Sequence, residues 1–255
     1  MGLARRRRER MLPRVILYNA VSLDGRIDGF MPDIGLFYKL AGTFKEDAIL
    51  AGSETILAGL EMFGEDAGEA GDGETGASEA GGAGEAGATE AAQAGDKPVG
   101  LPLLVVIDSR GRIRPWERLK AQPYWGDVLV ACSESTPKSY LEYLSEQQVP
   151  YVVTGSEKVD PRALLEKLSA GYGVEVVRVD SGGTLNGVLL RAGLVDEVSV
   201  LIHPVLVGGA SARSIFGAPD PSSLEQPIAL RLAHMEQLEG GLVWLRYEVT
   251  RSRSS

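Results

Sequence analysis

Apolar residues fall into short blocks along this chain, and polar, glycine-rich turns separate the blocks. Residues 14–20 (RVILYNA) are nearly continuous in apolar character and predict a buried strand, followed by an Asp- and Gly-rich loop over 22–33. Residues 34–44 carry helical spacing, 47–50 form a second short strand, and Ser53 caps a helix running to about residue 62. Further strands are predicted at 103–108, 126–132, 151–154, 174–179 and 196–203. Helices are predicted at 137–147, from Asp160-Pro161 to about 170, and at 184–192. Two C-terminal strands, about 229–238 and 242–250, join through Glu239-Gly240-Gly241 as a hairpin. Strands alternating with helices and closing on a hairpin predict an α/β fold: a mostly parallel sheet flanked by helices, with an antiparallel edge.

One stretch breaks the pattern. Residues 64–97 contain no aromatic and no branched aliphatic side chain, and 64–96 hold ten Gly, ten Ala and nine acids. Such a segment buries too little apolar surface to offset its ordering entropy. It reads as a disordered insertion in a surface loop, which a fold tolerates at small closure cost, and residues 14–250 read as one domain interrupted by it. Deleting residues 66–95 is therefore expected to leave the thermal midpoint nearly unchanged, and a collapse of stability in calorimetry would show that the segment packs.

Residues 64–96 contain no Lys or Arg and alone account for the net charge of −9 of this 255-residue chain. The remainder is neutral overall, so no global field points to nucleic acid. Arg5 to Arg8 and Arg10 make residues 1–13 a solvated basic tail, and Leu12-Pro13-Arg14 interrupts what a secretory leader needs. Cys132 is the single cysteine, which excludes an intrachain disulfide framework, and no apolar run reaches the roughly 20 residues of a membrane span. The expectation is a cytoplasmic protein with no membrane or nucleic-acid partner. His203 and His234 lack Cys or His companions at metal spacing, and neither a P-loop nor G-x-S-x-G is present, so no metal site and no serine nucleophile are expected.

Candidate chemistry sits where ligands of open α/β sheets bind, at the carboxyl ends of strands. Four such ends carry polar or glycine residues: Ser22-Leu23-Asp24-Gly25-Arg26, Ala51-Gly52-Ser53-Glu54-Thr55, Asp108-Ser109-Arg110-Gly111-Arg112, and Asp180-Ser181-Gly182-Gly183-Thr184. The last is the most informative, because a strand turning through glycines into a helix presents free N–H groups and a helix dipole to a phosphate. It does not meet the full G-x-G-x-x-G pattern. An acid ending the 103–108 strand suits a ribose, and Ser and Arg beside it suit a 2′-phosphate. Each segment has a plain structural alternative: Asp24 capping its own turn, Ser53 capping a helix, a solvated turn at 108–112, and glycines admitting a tightly packed helix at 182–183.

Taken in order, Ser22-Leu23-Asp24-Gly25-Arg26-Ile27, Asp47-Ala48-Ile49-Leu50-Ala51-Gly52-x-x-Thr55, Val106-Ile107-Asp108-Ser109-Arg110 and Gly182-Gly183-Thr184-Leu185-Asn186 with Gly193-Leu194-Val195-Asp196-Glu197 resemble the reductase domain of riboflavin biosynthesis. That family comprises the C-terminal half of the bacterial bifunctional deaminase-reductase and the stand-alone archaeal and fungal reductases. The resemblance implies a dihydrofolate-reductase-like fold, NADPH as hydride donor, a homodimer and no metal. It implies hydride transfer to C1′ of a ribosylaminopyrimidine 5′-phosphate, a phosphorylated pyrimidine substrate whose ribosyl group becomes ribityl. Carried over, it implies that Gly52, Thr55, Asp108, Ser109, Arg110, Ser181, Gly182, Gly183 and Thr184 contact the cofactor, with Asp108 to Arg110 at its adenosine end and Gly182 to Thr184 donating N–H groups to its diphosphate. Tyr18, Ser22 and Asp24 then face the substrate, and Asp180 is the catalytic candidate.

The chain departs from the family at three places. Asp180-Ser181-Gly182-Gly183-Thr184 stands where the family reads Glu-Gly-Gly-Gly-Thr, and Tyr18 occupies a lysine position of the bacterial members. No Asp-Asp-Pro substrate loop follows the helix after Thr55; Ala58-Gly59-Leu60-Glu61-Met62-Phe63 leads into the acidic insertion instead. Two alternatives therefore stand beside the leading reading: a same-fold NADPH reductase of another heterocyclic or pterin-like substrate, and a non-catalytic nucleotide-binding protein.

Overall fold

Val, Ile and Leu dominate the blocks that build the sheet, because most of its strands are covered on both faces and cannot alternate apolar with polar. The computed structural model describes residues 12–65, 100–209, 213–218 and 227–250. The expectations for the basic tail before Leu12 and for the acidic insertion from residue 66 onward lie outside the described residues. The described strands are β1 (Arg14–Ser22), β2 (Ala48–Gly52), β3 (Leu103–Ile107), β4 (Asp127–Cys132), β5 (Tyr151–Val153), β6 (Val176–Val179), β7 (Glu197–His203), β8 (Leu230–Gln237) and β9 (Val243–Val249). The described helices are α1 (Ile34–Ala41), α2 (Ser53–Glu65), α3 (Trp116–Lys120), α4 (Lys138–Glu146), α5 (Pro161–Tyr172) and α6 (Gly183–Arg191).

The nine strands form one sheet in the order β5-β4-β3-β2-β6-β1-β7-β9-β8. β1 to β7 pair in parallel, while β9 runs antiparallel to β7 and β8 antiparallel to β9. The expected mostly parallel sheet with a C-terminal antiparallel hairpin is thus present. β1 lies inside the sheet beside the middle strand β6, with Leu17 opposite Val179 of β6 on one side and Val198 of β7 on the other.

Successive residues point to opposite faces, so each strand feeds two cores. Val15, Leu17, Leu50, Val105 and Leu129 share a cluster with Leu164, Leu165 and Leu168 of α5 and Leu189 of α6. On the other face, Ile49, Leu104, Val106 and Val130 pack with Trp116, Leu119, Tyr140 and Leu144 of α3 and α4. Ile16, Tyr18 and Leu201 pack there with Phe37, Leu40 and Ala41 of α1 and with Trp244. α5 shows how the sequence sets a helix: Asp160 accepts the Arg162 and Ala163 N–H groups, Pro161 fills the first position, and Gly173 ends the helix with φ of 69°. Such an N-cap contributes about 1 kcal/mol.

Candidate active site

β2, β6 and β1 are neighbours, so their carboxyl ends meet, and β6 passes into α6 through only Asp180, Ser181 and Gly182. Ser181 is the junction of that turn. Its Oγ accepts the Gly52 N–H at 3.3 Å and lies 3.4 Å from the Thr55 hydroxyl. Its carbonyl accepts from Asn19 Nδ2 at 2.9 Å and from Asn186 Nδ2 at 3.4 Å, and Asn186 Nδ2 also donates to Asn19 Oδ1 at 2.9 Å. A Cβ on Gly52 would stand 3.2 Å from Ser181 Oγ, so glycine lets the ends of β2 and β6 close together.

The adjacent glycines of the turn have different reasons. Gly182 is the N-cap of α6 with no side-chain hydrogen bond over the helix start, and a Cβ there meets nothing closer than Ile27 Cδ1 at 3.8 Å. Gly183 faces the chain's own backbone: a Cβ would lie 2.2 Å from the Ser214 carbonyl oxygen and 2.8 Å from Gly217 N. One turn on, a Cβ on Gly187 would lie 2.4 Å from the Gly217 carbonyl oxygen. Gly217 N–H donates to Gly183 O at 2.9 Å. The lack of a side chain at Gly183 thus follows the tightly packed alternative, a seam between α6 and residues 213–218. Gly182 and the exposed Thr184 remain at the helix start.

Asp180 lies two residues after Arg178 on the face covered by α1. Arg178 donates from Nε to Glu46 Oε1 at 2.8 Å and from Nη1 to Asp180 Oδ2 at 3.2 Å. Burial pushes the Asp180 carboxyl above the ordinary carboxylate range, against the pull of the Arg178 guanidinium. Tyr18, expected at the substrate, lies instead in the core: it is 0% exposed, its ring stacks on Phe37 at 4.2 Å, and its hydroxyl donates to the Phe37 carbonyl.

After β1 the chain turns at Gly25 (φ 77°), whose N–H donates to Ser22 O. Ser22 is buried; its Oγ donates to Asp24 at 2.6 Å and accepts the Arg26 N–H. The exposed Asp24 accepts the N–H groups of Val207 at 3.1 Å and Gly208 at 2.7 Å. It thereby clamps the β1 loop to the loop after β7. The Ser22 hydroxyl and those two amides hold the Asp24 pKa down at about 2. Because the folded value lies below the unfolded one, the clamp is fully charged above the ordinary carboxylate range and loses its charge only as pH falls through about 2. Amide proton shifts of Val207 and Gly208 should therefore hold steady through mild acid in the native protein, and Asp24→Asn, which carries no charge at any pH, should offset them from the native values throughout. His203 ties the same loop from beneath, its Nε2 accepting the Asp33 N–H at 3.0 Å.

Asp108, expected near a ribose, is 1% exposed and turned into its own loop. Its Oδ2 accepts from Arg112 N, Ile113 N and Tyr140 Oη, and its Oδ1 is buried without a hydrogen-bond partner among the described residues. Arg110 is exposed and Ser109 partly so. Arg112 reaches across to α2 and donates to Ser53 Oγ at 2.7 Å. The structure thus brings Gly52, Thr55, Asp180, Ser181 and Gly182 together, with Ser22 and Asp24 on the adjoining loop and 108–112 beyond β2. Sequence reasoning missed Arg178, Glu46 and Asn19 as members; the signal for Arg178 is a cation in an otherwise apolar strand.

The family model of the RibD C-terminal domain matches residues 13–244. The chain belongs to this family. The 2,5-diamino-6-ribosylamino-4(3H)-pyrimidinone 5′-phosphate reductase of Methanothermobacter thermautotrophicus is 30% identical over 241 residues, covering 91% of this chain and 97% of that protein. Among solved structures, Acinetobacter baumannii RibD superposes with a TM-score of 0.62 at 21% identity, covering 94% of this chain and 58% of that one. The riboflavin biosynthesis reductase Rib7 of Saccharomyces cerevisiae gives 0.56 at 20% identity, covering 94% and 90%. These likenesses show the shared fold, which is dihydrofolate-reductase-like. In this RibD C-terminal domain the α6 start lacks a side-chain cap, Gly182 leaves room beside it, and Arg110 and Arg112 follow β3, two strands away beyond β2. No helix among the described residues is long and apolar enough to cross a membrane.

Proposed function

We propose that this protein is an NADPH-dependent reductase of riboflavin biosynthesis, with residues 14–250 as its reductase domain, working as a cytoplasmic homodimer. It reduces the ribosyl group of a ribosylaminopyrimidine 5′-phosphate to ribityl. The observation that carries this reading is Asp180 at the carboxyl end of β6, beside the uncapped start of α6, in a chain that aligns along most of its length with the archaeal reductase.

NADPH, when bound, supplies a hydride to C1′ of the open-chain imine. The protein orients the partners and handles the proton. Gly182, Gly183 and Thr184 offer backbone N–H groups at the helix start to a diphosphate, and Gly52 and Thr55 line the adjoining strand end. Ser109, Arg110 and Arg112 supply hydroxyl and cationic donors for the adenosine phosphate end, with Asp108 holding their loop in shape. Reduction of C1′=N adds a hydride to carbon and a proton to nitrogen. Asp180 is the group that holds that proton, since burial favours its neutral form. Ser22 and Asp24 shape the substrate side through the loop they clamp, and Tyr18 supports α1 from beneath.

The test mixes pure protein, NADPH and the enzymatically made pyrimidine intermediate. Loss of the reduced-nicotinamide absorbance is expected; an unchanged band would overturn the assignment. The missing Asp-Asp-Pro loop favours one second reading, a same-fold reductase of another heterocyclic imine or carbonyl, which would bind NADPH yet leave this intermediate unreduced.

A further inference from the structure

A guanidinium inside a sheet stays charged and must be met by acids. The Arg178 side chain is 3% exposed and lies in register between Ile16 of β1 and Ile49 of β2, so nothing on its own strand neighbours satisfies it. One carboxylate would neutralise it, and Glu46, 9% exposed and 2.8 Å from Nε, already does. The second carboxylate, Asp180 at 3.2 Å from Nη1, is one acid in excess of what charge balance requires, so the cluster is neutral with Asp180 protonated and carries one negative charge when it ionises. A purely structural pair has no use for that excess. Asp180 is also the member with a path outward, its side chain 28% exposed.

We infer that Arg178, anchored by Glu46, is a positioning residue that orients the Asp180 carboxyl toward the reacting centre and balances its charge as it exchanges a proton. The inference rests on Asp180 being the proton-bearing group proposed above. Glu46 comes from the turn between α1 and β2 and holds the Arg178 Nε, leaving Nη1 for Asp180. The groups facing this cluster from the packed elements are Tyr18 of β1 and Tyr38 of α1. Burial pushes the Tyr18 phenol up, and partial desolvation together with the Asp180 carboxyl raises the half-exposed Tyr38 to about 12, so both stay neutral across the working range. The charges acting on Asp180 are then Arg178, which favours its anion, and Glu46, which opposes it.

That arrangement makes two opposite predictions. Removing the cation in Arg178→Met should raise the Asp180 titration midpoint by about one to three pH units, and removing the competing anion in Glu46→Gln should lower it by about one. Arg178→Lys, which keeps the charge and loses the fork, should shift it less than Arg178→Met. The midpoint is read by carboxyl-carbon NMR on the full chain, with Asp180 assigned by the resonance missing in Asp180→Asn, so the readout needs no turnover. Where Arg178→Met does not fold, the isosteric Glu46→Gln decides. An Asp180 midpoint unmoved in folded Glu46→Gln and Arg178→Lys overturns the assignment. The pH limb of kcat for NADPH oxidation should follow the NMR midpoints, with KM little changed. Shifted midpoints in a protein that never oxidises NADPH with the pyrimidine intermediate would sink the reductase reading and leave the Arg178 assignment standing.

Discussion

Asp180→Asn is expected to lower kcat by roughly 10²–10⁴-fold, the usual contribution of a positioned proton donor. The change preserves shape and removes the titrating proton. Arg178 keeps Glu46 at 2.8 Å, so the cation stays paired. Stability should move the other way. Burial raises the folded pKa of Asp180 above its unfolded value, so the native state binds the extra proton and loses stability as pH rises from the ordinary carboxylate range through the raised value. At neutral pH the neutral amide removes that penalty, and the melting temperature of Asp180→Asn should equal or exceed that of the native protein. Steady-state NADPH oxidation with thermal unfolding on the same sample checks both halves. A kcat within about tenfold of native would remove Asp180 from the chemistry.

The second large effect separates two adjacent glycines. Gly183→Val is expected to destabilise the fold by about 3 kcal/mol, because its Cβ meets backbone at 2.2 Å and 2.8 Å that cannot rotate away. For a chain of this size that is a fall of roughly 6–12 °C in melting temperature. Gly182→Ala has φ of −76° and open space around it, so it should leave the fold intact or stabilise it by about 0.4–1 kcal/mol through the unfolded chain. Calorimetry on the pair gives the contrast, and isothermal titration with NADPH shows whether Gly182 also matters for binding. Equal melting temperatures for the two variants would refute the seam between α6 and residues 213–218.

The periodic apolar blocks made the elements readable, since each buried strand is a short Val-, Ile- or Leu-rich run bounded by a turn. The expected strand at 14–20 is β1, and the glycine turn at 182–183 does lead into α6. α3 was not legible: five residues with only Trp116 and Leu119 buried carry too little periodicity to mark a helix. Strand order was not legible either, because the pairing of β1 between β6 and β7 joins residues far apart in the chain. The site was readable as four strand ends and not as contacts. Asp108 looked available because an acid ends its strand, yet three donors in its own loop and from Tyr140 hold it inward. Tyr18 looked available through its motif position, yet the face it occupies is the one α1 covers. Glu46 and Arg178 escaped notice because only the folded sheet brings them together.

The placement of β1 sets the timing of assembly. Both of its partners, Val176–Val179 and Glu197–His203, are made long after it. On a ribosome adding about 5–20 residues per second, the first strand waits roughly 8–30 s with neither edge occupied. The interior of this sheet is therefore completed only late in translation, and until then β1, whose Val15 to Leu17 end up buried, is a natural client for a chaperone.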